Sequence, residues 1–198
     1  MPHSFVVSSR MSGTATNPQG KALFLDRDGV INEEASYLWR REDVRFVPGI
    51  FSLCRTAQSL GYKLVVVTNQ AGIGRGMYTE DDFRSLMHWM RAEFVRERVT
   101  LDAIYFSPYH PEHGIGDYKR EHEDRKPGPG MLRRAAADLN LSLADSILIG
   151  DRCTDIAAAN AAGLRQAFLI AVTETACLGN YLPVTTLAEV ELWLRTNG

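Results

Sequence analysis

Residues 21–32 read Lys21-Ala22-Leu23-Phe24-Leu25-Asp26-Arg27-Asp28-Gly29-Val30-Ile31-Asn32, an apolar run that ends abruptly in two acids and a glycine. The run is strand-length and too continuously apolar for a strand with one wet face, which predicts a strand buried on both sides of a parallel sheet. Acids at i and i+2 project to the same side of an extended chain, and Gly29 lets the backbone turn directly after them. Ligands of an open parallel sheet gather at the carboxyl ends of its strands, so this stretch predicts the position of a site as well as the fold.

Working outward, short apolar runs alternate with segments of helical period, the signature of parallel strands joined by crossover helices. Strands are predicted at 22–25, 63–68, 103–106, 146–149 and 165–170, and helices at 49–60, 81–98, 130–139, 154–162 and 187–195. Thr79 with Asp82 makes an N-terminal cap. Phe83, Leu86, Met87, Met90 and Phe94 then form one apolar stripe facing the core. Gly61 and Gly163 stand where left-handed helix ends are wanted. The expected architecture is a doubly wound, three-layer αβα domain over residues 21–198, behind a flexible tail of residues 1–20 rich in Ser, Gly, Thr, Asn and Pro. The connection from Ser107 to Pro127 fits no element, and loops of that length in a compact domain are usually functional.

Composition narrows the partners. The 198 residues carry 24 acids against 22 Lys and Arg, a net charge of −2, which is no electrostatic footprint for nucleic acid or an anionic membrane. No apolar run approaches the roughly 18 residues of a membrane span. Cys54, Cys153 and Cys177 are odd in number, widely spaced and without a CxxC, and read as reduced thiols in a reducing, cytoplasmic setting.

Three further clusters complete the site. The second predicted strand ends in Thr68-Asn69-Gln70, followed by the glycine-rich Ala71-Gly72-Ile73-Gly74-Arg75-Gly76. Arg125-Lys126-Pro127 precedes a helix, and the fourth strand ends in Gly150-Asp151-Arg152-Cys153-Thr154-Asp155. Asp26, Asp28, Asp151 and Asp155 would repel one another unless a cation shared them, and a set of hard oxygen ligands suits Mg²⁺. A carboxylate beside Mg²⁺ with a lysine opposite is a place where phosphorus can be attacked in line. The Gly72-x-Gly74 pair fails as a dinucleotide fingerprint, because the third glycine position is Met77 and no acid ends the next strand.

DRDGVIN, VVVTNQAGIGRG, RKPGPGM and GDRCTD, in this order and spacing, resemble the four motifs of the haloacid dehalogenase-like phosphatases over residues 21–171. TNQ-x-GI-x-RG and RKP-x-PGM are most similar to the capless D,D-heptose 1,7-bisphosphate phosphatases and histidinol-phosphate phosphatases. The resemblance implies that Asp26 attacks phosphorus to form an aspartyl phosphate and that Asp28 protonates the leaving oxygen and then activates water. It implies Mg²⁺ held by the carboxylates of Asp26 and Asp151 and the carbonyl of Asp28, with Asp155 behind them. Thr68 and Lys126 would hold the phosphoryl oxygens, and Asn32, Asn69, Arg75 and Arg125 are the candidate substrate contacts. The substrate implied is a small sugar phosphate, acted on by a monomer.

One departure is plain. Many of these relatives hold the long loop with a zinc on Cys-x-His and Cys-x-Cys pairs, where this chain has Ser107-Pro108-Tyr109 and His122-Glu123-Asp124. A hydroxyl and a phenol are poor zinc ligands, so no structural zinc is expected, and His110, His113 and His122 read as solvated. Alternative readings are histidinol phosphate or another small phosphomonoester as substrate, and, less favoured, a polynucleotide 3′-phosphatase or a receiver-like regulator. Asp28 argues against a regulator, which would not place an acid-base group two residues from its phosphorylated aspartate.

Overall fold

The computed structural model describes residues 4–6, 19–170 and 176–198. Among the described residues seven strands, β1 (Ser4–Val6), β2 (Lys21–Leu25), β3 (Tyr62–Asn69), β4 (Ala103–Ser107), β5 (Ile147–Gly150), β6 (Gln166–Ile170) and β7 (Leu182–Val184), form one sheet of order β1-β4-β3-β2-β5-β6-β7. All neighbours are parallel except β1, which pairs antiparallel with β4. The helices are α1 (Ile50–Ser59), α2 (Ala71–Gly74), α3 (Glu80–Arg96), α4 (Gly130–Leu139), α5 (Cys153–Ala162) and α6 (Leu187–Asn197).

Period-two alternation sorts the strand residues onto two faces. Leu23, Leu25, Val66, Ile104 and Phe106 join the stripe of α3 and the inner faces of α1 and α6 in one core. Ala22, Phe24, Val65, Val67 and Tyr105 meet Met131, Leu132 and Ala135 of α4 and Ile156 and Ala159 of α5 in the other. This is the expected three-layer domain. The connection from β2 to α1 holds one 3₁₀ turn, Arg41–Asp43, and no separate domain. Thr79 and Asp82 form a reciprocal capping box, and Gly61 and Gly163 take the left-handed conformation after α1 and at the end of α5.

Three expectations are corrected. The flexible tail contains β1, because the free edge of β4 accepts the β-prone Ser4–Val6; residues 1–3 and 7–18 of that tail lie outside the described residues. The cysteines are not all free thiols: Cys153 and Cys177 form a disulfide across 24 residues, while Cys54 is buried and free, so the cysteines no longer argue for a reducing compartment. Parity and spacing are blind to a pair that the fold brings together, here the start of α5 and the chain returning after β6. Cys153 is accordingly half-buried and bonded, not a small core hydrophobe. Residues 71–74, read as flexible glycine-rich backbone, form the short helix α2 with Gly72 and Gly74 packed against Tyr78 and the Pro108 carbonyl.

Candidate active site

The carboxyl ends of β2, β3 and β5 lie side by side, so Asp26, Thr68 and Asp151 converge although they are far apart in sequence. Carboxylate oxygens of Asp26, Asp151 and Asp155 lie within 4.8 Å of one another. Gly29 (φ +81°) permits the approach, since a β-carbon there would stand 2.5 Å from Asp151 Oδ2. Gly150 does the same for Asp155, whose side chain fills the space a β-carbon would take.

Lys126 enters from the segment before α4 and is fully enclosed. Its ammonium donates to Asp26 Oδ1 (2.9 Å), to Asp155 Oδ1 and to the Val67 carbonyl (3.0 Å). Burial works against that charge, but Asp155 and Asp26 outweigh it and hold the lysine above its ordinary pKa. Lys126 therefore neutralises part of the cluster. The remainder is only partly compensated, by Arg152 at 3.8 Å from Asp151: burial, with Asp26 and Asp155 nearby, still pushes Asp151 up to about 8. Burial, opposed by Lys126 and reinforced by Asp155 and Asp28, raises Asp26 to about 6. Asp151 Oδ1 is buried and lacks a hydrogen-bond partner. Three hard oxygen donors, one orphaned and two with proton affinity raised by burial and by their neighbours, are the donor set that a divalent cation satisfies.

Asp28 lies beside this cluster, not in it. Its carboxylate receives Arg27 Nε (3.0 Å) and Nη2 (2.8 Å), Asn32 Nδ2 (3.0 Å) and Gln70 Nε2 (3.2 Å). Gln70 also donates to Thr68 Oγ1 at 2.9 Å and accepts from the Tyr78 hydroxyl. Arg27 and Gln70, which hold the acid, and Tyr78, which holds Gln70, are not among the predicted site residues, although the first two stand inside the quoted motifs. A motif names positions, and only the fold shows that their side chains turn inward.

The predicted substrate contacts divide. Asn32 is fully buried and holds Asp28 and the Glu33 carbonyl, so it does not face the cavity. Asn69 reaches the cavity, but its amide spends both groups on the backbone of Lys126. Arg75 and Arg125 do line the cavity, of about 450 Å³, together with Tyr37, His110 and Arg152. Tyr37 orients Arg75 (2.6 Å) and the Tyr109 carbonyl orients Arg125 (3.0 Å). His110 accepts the amides of Glu112 and His113 at Nδ1, while burial and the two arginines lower its pKa. Its neutral form is thereby favoured with the hydrogen on Nε2. The cavity thus has a cluster of acids at its floor and cations on its wall, which suits a substrate with two anionic groups.

The loop after β4 is built without thiolates. The Tyr109 ring stacks on His122 at 4.0 Å and carries Arg120 against its face, and the buried Asp124 pairs with Arg134 at 2.6 Å. His122 is therefore packed, not solvated; His113 is exposed.

Residues 124–173 match the HAD-hydrolase-like family model. The chain is 51% identical over 152 residues, 77% of its length and 80% of the relative's, to a D-glycero-alpha-D-manno-heptose-1,7-bisphosphate 7-phosphatase from Burkholderia mallei. It is 46% identical to the beta-anomer 7-phosphatase of Vibrio cholerae, over 75% of this chain and 80% of that one. In structure it resembles a HAD-like phosphatase from Mesorhizobium loti (TM-score 0.84, 32% identity, 100% and 96% covered). It also resembles the D,D-heptose 1,7-bisphosphate phosphatase of B. bronchiseptica complexed with magnesium and phosphate (TM-score 0.77, 25% identity, 90% and 99% covered).

Proposed function

We propose, for a chain that belongs to the D-glycero-D-manno-heptose-1,7-bisphosphate 7-phosphatase family of HAD-like hydrolases, that it hydrolyses the 7-phosphate of that sugar bisphosphate. The observation that carries this reading is the pairing in one cavity of an acid cluster in charge excess with a wall of arginines, one end for the reacting phosphoryl group and one for the phosphate that stays.

Asp26 is the nucleophile: its carboxylate attacks phosphorus as the sugar oxygen leaves, forming an aspartyl phosphate. Asp28 gives its proton to that oxygen, then takes one from the water that attacks the phosphorus of the intermediate. The carboxylates of Asp26 and Asp151 and the Asp28 carbonyl would hold Mg²⁺, with Asp155, engaged by Lys126 and the Arg152 amide, behind them; bound there, the ion would neutralise charge on the transferring group. Lys126 and Thr68 stabilise the phosphoryl oxygens, and Arg75 and Arg125 hold the second phosphate. The enzyme acts as a monomer in the cytoplasm, where a doubly phosphorylated sugar that cannot cross a bilayer is made and used, on a route to lipopolysaccharide or capsule. It uses neither nucleic acid nor a membrane, and the loop needs no zinc.

Phosphate release with Mg²⁺ tests this against both heptose bisphosphate anomers, fructose 1,6-bisphosphate, histidinol phosphate and a 3′-phosphorylated oligonucleotide. The expected result is a kcat/KM for one heptose anomer about a hundredfold above the other substrates. Turnover of histidinol phosphate alone would leave the catalytic assignments standing and remove the sugar.

A further inference from the structure

Arg27 is the largest fully buried side chain among the described residues, and no step described so far uses it. A buried guanidinium is costly unless its donors are met; here Nη1 has no partner, and three of the four hydrogen bonds made by Nε and Nη2 go to a single carboxylate. Nε and Nη2 both reach Asp28 Oδ1, and Nη2 also reaches Oδ2 at 2.8 Å. The remaining bond of Nη2 goes to the Leu38 carbonyl at 3.1 Å, and the ring of Phe83 lies 5.6 Å from the guanidinium carbon.

We propose that Arg27 is the positioning residue for Asp28, fixing the rotation of its carboxylate and tying it to the cavity wall at Leu38. The proposal rests on the reading of Asp28 as proton donor and acceptor. A planar fork engaging both oxygens stops the carboxylate from turning, which a single point donor cannot do. Asn32 and Gln70 add one donor to each oxygen, so Asp28 has few orientations left. Leu38 belongs to the cavity wall with Tyr37, and the same guanidinium that aims the acid therefore registers the wall against which substrate docks. Misplacing an acid-base group by about an ångström costs roughly a hundredfold in rate.

The test compares the full-length wild type with Arg27→Lys, Arg27→Gln and Asp28→Asn on two substrates. The heptose bisphosphate has an alkoxide leaving group that needs a proton; p-nitrophenyl phosphate does not. Wherever Asp28 is misaimed, the sugar substrate should lose roughly a hundredfold in kcat with KM within about threefold. With p-nitrophenyl phosphate the first turnover should stay within about threefold of wild type. Because the water-activating step is then slow, a burst approaching one nitrophenolate per enzyme should follow. Asp28→Asn should show this pattern most strongly, and Arg27→Lys and Arg27→Gln should reproduce it with native-like melting.

If Asp28→Asn shows the pattern and the Arg27 variants lose both substrates equally or lose nothing, the proposal for Arg27 is overturned and Asp28 keeps its role. If Asp28→Asn lacks it, the reading of Asp28 fails and Arg27 falls with it. Failure of both Arg27 variants to fold would also overturn the proposal, in favour of a purely structural arginine.

Discussion

The acid cluster at the ends of β2 and β5 and the loop of residues 107–127 both stand at the carboxyl end of the sheet and both are dense in charge, but they resolve it in opposite ways. In the loop the buried charge has a local answer: Asp124 has Arg134, and Arg120 lies on Tyr109, which stacks on His122. In the cluster Asp26 and Asp155 share one lysine, while Asp151, with only the half-exposed Arg152 at 3.8 Å, keeps a buried oxygen with no partner. A balanced group of charges holds a segment in place. An unbalanced one, kept inside a fold at a cost to stability, marks where a ligand supplies the missing charge.

Replacing members of each region should separate the two. Asp26→Asn should lower turnover by roughly ten-thousandfold or more while leaving the melting temperature of the metal-free protein no lower, since it removes a crowded acid. Steady-state kinetics and thermal melting check both halves, and a large drop in melting temperature would mean that the cluster is structural. Next in size, reducing the Cys153–Cys177 bond should cost about 3 kcal/mol of stability, the loop-closure scale for its separation of 24 residues, with kcat within about threefold. Denaturant unfolding with and without a reductant measures it. If activity is lost instead, the region beside Asp151 depends on the bond for its catalytic shape.

The loop gives the smallest effect. Asp124→Asn should cost about 2 kcal/mol, below the fully buried range because Arg134 keeps some water contact, and should change kcat by less than about threefold. Equilibrium unfolding and kinetics decide it. A collapse of activity at constant stability would place the loop in the chemistry and end the contrast.

The same contrast explains what was legible in the sequence. The five inner strands and the longer helices follow from apolar period and caps, and the acids follow from their place after strands, because both are local patterns. The edge strand at Ser4–Val6 depends on a free edge of β4, and the Cys153–Cys177 bond depends on the return of the chain after β6, which no local pattern contains. Asn32 has the composition of a ligand contact and is consumed in holding Asp28. Arg27 looks like a surface charge between two acids, and only the buried rotamer shows its use.

The central claim is that the cluster is built to bind a cation, whose place protons take when it is removed. With Asp151 at about 8 and Asp26 at about 6, both above the ordinary 3.8, the metal-free fold holds protons that the unfolded chain has released. Its contribution to stability is therefore complete below about 4 and is lost as pH rises toward 8. Calorimetric titration of Mg²⁺ into the metal-free protein at pH 7, in buffers of different ionisation enthalpy, should show about one proton released per ion bound, falling toward zero near pH 9.5. Binding at pH 7 without proton release, or no binding at all, would contradict the account.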